Sequence, residues 1–283
     1  MNMSIRFWGV RGSIAAPGAA TAQVGGNTSC VEIRCGAERI ILDAGTGLRA
    51  LGDQLLSEGD VKATLLLSHH HWDHIQGLPF FVPIYLPNTE LEVIGPAAER
   101  CSMHEVLEHQ MQSPVFPVRL DQVPSRLVTR DVRPGDSFEV GACKVTAAKL
   151  NHPGGSMAYR IDYGGHSVVY ATDTEHYSCV DPTLCKLAAG ADVLIYDSQY
   201  TPAEYGGVSG PSKVGWGHST FEAGAALANR AGVGKYMLFH HDPKRTDEEV
   251  FDLERRAREL FGESHAAKEG MEIVLPFAAG VAA

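Results

Sequence analysis

Residues 68–77 read Ser68-His69-His70-His71-Trp72-Asp73-His74-Ile75-Gln76-Gly77, and the rest of the chain is read outward from them. His69, His71, Asp73 and His74 are potential metal ligands packed into a single short stretch. The mainly apolar run Ala63-Thr64-Leu65-Leu66-Leu67 ahead of them has the length and composition of a buried strand. Extended backbone sends alternate side chains to one side, so His69 and His71 face together and His70 faces away. Asp73 and His74 then fall on the turn into a short helix, where they can meet a second ion. Imidazole nitrogen and carboxylate oxygen both suit zinc, manganese or iron. The plain alternative is a cluster of surface histidines; the H-x-H-x-D-H order behind a strand argues against it. Trp72, lying between ligands, is expected to anchor the loop by burial.

Three more residues of ligand type stand at the ends of strand-like runs. His152 follows Thr146–Leu150, Asp173 follows Val168–Ala171, and His240 follows Tyr236–Phe239. Strand ends in α/β folds are where sites are assembled. Alone, each would read as a hydrogen-bonded structural residue; beside the first cluster they read as ligands. His241 takes the place of His240 if the strand register shifts by one. Asp43, polar at the end of the strand Arg39–Asp43, either supports a metal-bound histidine or caps the turn that follows. The glycine-rich loop Gly25-Gly26-Asn27-Thr28 can cradle an anion with backbone amides, which makes Asn27 a candidate substrate contact. It lacks the lysine of a nucleotide P-loop. His176, close behind Asp173, is either a substrate contact or a supporting residue. His104, His109, His166 and His265 read as solvated.

Leu48, Leu51, Leu55 and Leu56 recur at helical spacing and predict a helix over 47–57. A second helix is predicted over 97–112. Pro114, Pro117, Pro124 and Pro134 then break the pattern, so residues 96–135 read as an insertion beside the site, serving substrate enclosure or dimerisation. Strands are predicted at Phe138–Val140, Cys143–Lys149, Ala158–Tyr163 and Ser167–Ala171. Ser219 to Glu222 and Thr246 to Glu249 carry the capping-box pattern that opens a helix. No linker or repeat divides residues 1–283, which suggests a single α/β domain. The formal net charge of −10 repels polyanions, so long nucleic acid is disfavoured as a partner. A small phosphate ester is not, because bound cations reverse the sign locally. The six cysteines form no C-x-x-C pair and read as reduced, mostly buried thiols of a cytoplasmic protein. No apolar run has the length of a signal-peptide core or a membrane span.

Taken together these motifs resemble the metallo-β-lactamase superfamily over most of residues 4–276. Within it the chain is similar to the phosphodiesterase branch, which includes the transfer-RNA 3′-processing ribonucleases of the ribonuclease Z type and the cyclic nucleotide phosphodiesterases. The resemblance implies a four-layer αββα sandwich, the metallo-β-lactamase fold, with a dinuclear centre between the sheets. It implies that His69, His71 and His152 hold one divalent ion and Asp73, His74 and His240 the other, with Asp173 bridging. Zinc is the first expectation for both, with manganese or iron as alternatives. Position 173 is aspartate where many zinc β-lactamases carry cysteine, which argues against antibiotic hydrolysis. Gly217-His218-Ser219-Thr220 resembles the histidine motif of the branch. The resemblance implies that His218 touches the scissile phosphate and helps protonate the leaving group, supported by Asp197. The physical chemistry agrees, because His218 lies just before a helix amino terminus and a carboxylate keeps an imidazole charged and oriented. Asp73 would orient or deprotonate the nucleophile while holding its metal. The expected activity is hydrolysis of a cyclic nucleotide or another small phosphodiester. Two alternatives stand beside it: a lactone, carboxylic ester or thioester hydrolase using the same metal pair, and an iron-dependent oxidoreductase. No membrane partner is expected; the sequence leaves the oligomeric state open, a homodimer included, since the resemblance is to proteins among which dimers are frequent.

Overall fold

The computed structural model describes residues 2–276. In chain order the elements are β1 (Met3–Gly9), β2 (Cys30–Cys35), β3 (Glu38–Leu42), α1 (Gly47–Leu56), β4 (Val61–Leu66), α2 (Trp72–Ile75), β5 (Thr89–Pro96), α3 (Met103–Gln110) and β6 (Arg126–Val132). The second half adds β7 (Ser137–Val140), β8 (Cys143–Leu150), β9 (Ser156–Tyr163), β10 (His166–Ala171), α4 (Pro182–Ala188), β11 (Val193–Asp197) and α5 (Pro202–Tyr205). It closes with α6 (Phe221–Ala231), β12 (Lys235–Phe239), α7 (Asp247–Leu260), β13 (Ser264–Ala266) and β14 (Glu272–Leu275). The strands form two sheets, ordered β14-β1-β2-β3-β4-β5-β6 and β13-β12-β11-β10-β9-β8-β7. In the first, β3 to β6 run parallel; in the second, β10 to β13 do.

The layering follows from alternation along strands buried on both faces, which therefore read as continuous apolar runs. On β3, Ile40 and Leu42 face the inter-sheet core while Ile41 faces outward. On β12, Met237 and Phe239 face the other sheet while Tyr236 and Leu238 face helices. Leu48, Leu51 and Leu55 of α1, with Met103 and Leu107 of α3, cover the outer face of the first sheet. Leu184 of α4, Leu227 and Ala228 of α6, and Leu253 of α7 cover the second. The result is the αββα sandwich.

Several expectations are corrected in detail. The helix expected over 97–112 is shorter; Ser102 caps it with a reciprocal capping box to Glu105, a signal legible in the sequence. The supposed insertion over 96–135 ends in β6, which pairs with β5 along its length and is the edge strand of the first sheet. Helix α6 is capped by Thr220, whose side chain accepts from the Ala223 amide. Ser219 is drawn off instead by Tyr196 Oη at 2.9 Å and His176 Nδ1 at 3.1 Å. The Thr246–Glu249 capping box forms as expected. The cysteines are all free, with Cys30, Cys35 and Cys143 buried, but Cys179 is exposed. Among the described residues no helix is long and apolar enough to cross a membrane.

Phe239 is fully buried at the centre of the sandwich, its ring 6.2 Å from Phe7 and 5.7 Å from Tyr170. Phe239→Ala removes this filling from between the sheets and should destabilise the fold by about 3–5 kcal/mol. Urea unfolding checks this: the midpoint falls while the slope stays constant.

Candidate metal centre

Both sheets deliver their strand carboxyl ends to one cleft. The run β4 leads into Ser68, His69 and the turn before α2, while β8, β10, β11 and β12 end at or just before His152, Asp173, Asp197 and His240. Three strand-end residues, Asp43, Asp173 and His240, adopt positive φ of 60°, 54° and 60°. This left-handed backbone is costly for residues other than glycine and turns each side chain sharply inward.

Three overlapping donor clusters result, each with its donor atoms within 4.8 Å of one another: first His69, His71, His152 and Asp173; second Asp73, His74, His240 and Asp173; third Asp173, Asp197, His218 and His240. In the second cluster, His74 Nε2 lies 3.3 Å from His240 Nε2, 3.2 Å from Asp73 Oδ2 and 3.2 Å from Asp173 Oδ1. His240 Nε2 lies 3.3 Å from Asp73 Oδ2 and 3.1 Å from Asp173 Oδ1. Ligands at about 2.0–2.1 Å around a tetrahedral ion stand about 3.3 Å apart. The cluster therefore has the dimensions of a coordination shell. The first cluster is looser: His152 Nε2 sits 3.1 Å from His71 Nδ1 and 3.8 Å from Asp173 Oδ2, and His69 Nε2 sits 3.7 Å from Asp173 Oδ2. His69 Nε2 is buried with no hydrogen-bond partner. A buried orphan nitrogen aimed at a carboxylate and two other imidazoles fits a cation there. The donor set suits a pair of divalent metal ions, with Asp173 shared.

The second nitrogen of several ligands is held from behind, as metal-binding histidines require. His74 Nδ1 meets Asp43 Oδ2 at 2.7 Å, and Asp43 also accepts from the Ser68 amide, Ser68 Oγ and Tyr170 Oη. So Asp43 is the support residue that was one of its two readings. His69 Nδ1 meets Ser68 Oγ at 3.0 Å, His152 Nδ1 meets the Gly217 carbonyl at 2.8 Å, and His240 Nδ1 meets Gln199 Oε1 at 3.0 Å. The Ser13 amide donates to Asp73 Oδ2 at 2.7 Å. Glycine is needed at two contacts: a Cβ at Gly12 would lie 2.3 Å from the His240 ring, and one at Gly217 would lie 2.3 Å from the His152 ring.

Burial pushes the His69, His71 and His152 imidazoles down, keeping them neutral and ready to ligate. His74 goes the other way: burial opposes its charge, but Asp173, Asp73 and Asp43 together raise it well above the ordinary range. Burial alone would raise the Asp173 carboxyl, yet His240, His74 and His69 hold it well below the usual carboxylate range. The surrounding carboxylates thus favour the charged form of His74, and a metal ion at its Nε2 would compete with a proton there.

His218 stands beside the centre, its Nδ1 2.8 Å from Asp197 Oδ2 and 3.9 Å from Asp173 Oδ2. Asp197 is fully buried and also accepts from the Gln199 and Ser219 amides. Burial would lower His218, but Asp197 outweighs it and the imidazole is pushed up to about 9. His218 shares a cleft of about 440 Å³ with Ser13, His71, Trp72, Asp73 and Asp173.

Two site expectations, for Trp72 and Asn27, are corrected, and the open readings of His176 and His241 are narrowed. Trp72 is 80% exposed at the mouth of this cleft and anchors nothing by burial; the turn is fixed by the polar network on Asp73 and His74. The Asn27 side-chain amide is taken by Glu269 Oε2 at 3.0 Å and its backbone amide by Glu269 Oε1 at 2.6 Å, so the loop is a structural clasp. His176 bonds Ser219 Oγ, packs 4.5 Å from the Tyr205 ring and lines a separate cavity of about 420 Å³. His241 is no alternative ligand: burial pushes it down to about 3 and its Nε2 meets the Ala267 carbonyl. Sequence reasoning missed Gln199, Ser13 and Glu175. The last is buried and accepts from the Gly215 and Gly217 amides and Tyr205 Oη, holding the loop that carries His218. It also missed Arg11, fully buried, which bonds the Gly25, Asp242 and Arg245 carbonyls and so braces the loop after His240.

A family model described as the beta-lactamase superfamily domain matches residues 38–241. A relative named Ribonuclease Z from Lacticaseibacillus casei (strain BL23) is 28% identical, covering 84% of this chain and 85% of its own. Among solved structures, the metallo-beta-lactamase fold protein YhfI from Bacillus subtilis matches with a TM-score of 0.71 at 21% identity, covering 96% of this chain and 99% of its own. The short form of human tRNase Z matches with a TM-score of 0.63 at 21% identity, covering 96% and 99%. The expectation that long nucleic acid is disfavoured gets no support from relatives so named.

Because a metal ion competes with a proton for the His74 imidazole, whose charged form Asp173, Asp73 and Asp43 favour, affinity at the Asp73–His74–His240 cluster should rise with pH through and above the ordinary imidazole range. Titration calorimetry in buffers of different ionisation enthalpy should register proton release. His240→Ala should lose about one of two bound ions by elemental analysis.

Proposed function

The chain belongs to the β-lactamase superfamily, and from that premise we propose that it is a metal-dependent phosphodiesterase acting on a small phosphodiester, with cyclic nucleotides as the leading class. The observation that carries this reading is the His218–Asp197 pair set against the bridging carboxylate. Hydrolysis of a lactone or thioester needs only a metal pair. A buried imidazole held charged beside that pair suits an ester whose reacting group is anionic and whose leaving oxygen needs a proton.

His69, His71, His152 and Asp173 would hold one zinc ion, and Asp73, His74, His240 and Asp173 the other. Such a pair supplies a water nucleophile near neutral pH and offsets charge on the phosphoryl oxygens. Asp73, steadied by the Ser13 amide, orients the attacking water with the carboxylate edge not used for ligation. His218 binds the phosphoryl group from the opposite wall of the cleft and gives a proton to the departing oxygen. Asp197 fixes its tautomer and keeps it protonated. Cations held beside it would oppose its charge and bring it from about 9 nearer the working range, where a general acid is most effective. The acidic net charge favours a compact substrate that meets only the cleft over a long polyanion that must lie along the surface.

Metal-loaded protein should turn over bis-p-nitrophenyl phosphate and cyclic nucleotides. Failure on every phosphodiester, a transfer RNA precursor included, with turnover of lactones or thioesters, overturns the reading. His218→Asn should lower kcat by about 10²–10⁴ with metal content intact. Asp197→Asn removes the main raising influence on His218, so the alkaline fall in rate, where the acid loses its proton, should move to lower pH.

A further inference from the structure

A cavity of about 760 Å³ opens against the His69–His71–His152 side of the centre. It continues away from His218 between the segment after β5, the β6–β7 turn and the end of β8. Arg133 and Lys149 line it, and Glu99 is the lone carboxylate on its wall. Neither basic side chain has an ion pair or hydrogen bond among the described residues. The neighbouring arginines do: Arg126 pairs with Glu90 and Arg130 with Glu92 on the same strand. On the adjoining face Arg39 is shared between Glu32 and Glu58. In a chain of net charge −10, two uncommitted cations facing one cavity beside the centre stand out. The turn that carries Arg133 is held by its backbone, with the Arg133 amide on Asp136 Oδ2 at 2.8 Å and the Gly135 amide on the Ala147 carbonyl at 2.9 Å. The guanidinium is therefore left over for another role while its base is fixed.

We propose that this cavity receives a second anionic group of the substrate, a phosphate carried on the part of the molecule beyond the ester being cleaved, and that Arg133 and Lys149 recognise it. The proposal rests on the phosphodiesterase reading of the centre and specifies its substrate class. A guanidinium presents paired donors that match phosphate oxygens, and a lysine adds a point charge. Both residues are solvent-exposed, so the contact acts on binding and is screened by salt. Neither belongs to the donor clusters, so a substrate lacking the second anion should be indifferent to them.

The test compares metal-loaded wild type with the Arg133→Ala/Lys149→Ala variant on three compounds: bis-p-nitrophenyl phosphate, the dinucleotide TpT and its 5′-phosphorylated form. Wild type should favour the phosphorylated dinucleotide over TpT by about tenfold in kcat/KM, through KM, with the preference shrinking as salt is raised. The variant should lose that preference while its rate on bis-p-nitrophenyl phosphate stays within about twofold of wild type. No preference in wild type, or one that survives in the variant, overturns the subsite and leaves the phosphodiesterase reading standing. Where the dinucleotides are not turned over, equilibrium dialysis of the same pair decides. Tighter binding of the phosphorylated form by wild type alone upholds the subsite, and equal binding overturns it. Silence on bis-p-nitrophenyl phosphate and every other phosphodiester counts against the reading of the centre, and dialysis still reports on the cavity.

Discussion

The Asp173 carboxylate meets four imidazoles from three separate parts of the chain: His69 at 3.7 Å, His74 at 3.2 Å, His152 at 3.8 Å and His240 at 3.1 Å. Those histidines arrive from both sheets, so this one side chain ties the halves of the sandwich at their open edge. The arrangement is costly without a counter-charge. Asp43, Asp73 and Asp173 are all buried around His74, and Asp43, Asp173 and His240 are each held in left-handed backbone at about 1–3 kcal/mol apiece. Cations placed among them offset both terms, which makes metal binding part of the folding free energy.

Geometry explains why the centre lies at this edge. Four parallel strands in each sheet point the same way along the sandwich, and their carboxyl ends open onto one rim. Inner-facing side chains on the strands are apolar and fill the core; a polar residue can follow only where the strand stops. His152, Asp173 and His240 each occupy the first positions past that stop. At Asp173 and His240 a left-handed turn then bends the side chain back over the core edge instead of letting it run out to solvent.

This placement is also why the ligand set was legible in the sequence and its surroundings were less so. A histidine or aspartate after an apolar run carries its own signal; the alternation of strands and helices pointed to a single α/β domain, while the sandwich itself was implied by the family resemblance. Residues that act through backbone atoms carry none. Ser13 reaches Asp73 through its amide, the Gly217 carbonyl orients His152, and Arg11 is a buried clamp on carbonyls far away in sequence. Each depends on loop geometry that only the folded chain defines. Asn27 and Trp72 were misread for a related reason. A glycine-rich loop looks the same whether its amides face a ligand or Glu269, and a tryptophan between ligands follows the direction of its helical turn, not its hydrophobicity. The strand β6 was hidden because Arg126, Arg130 and Asp131 interrupt its apolar pattern, as befits an edge strand exposed on one face.

Charge divides the chain's surface from its site. The overall balance is acidic, and most arginines pair with nearby carboxylates. Inside the cleft the sign is set by whatever cations the donors hold, and His218 adds to it with Asp197 as its counterweight. An anion is then drawn only at close range, where desolvated charges act at full strength. Such a site selects by fit within the cleft and the cavity next to it. That is why the reaction class and the substrate are separate questions here: the first turns on the donors crowded around Asp173 and the His218 imidazole beside them, the second on side chains one layer further out.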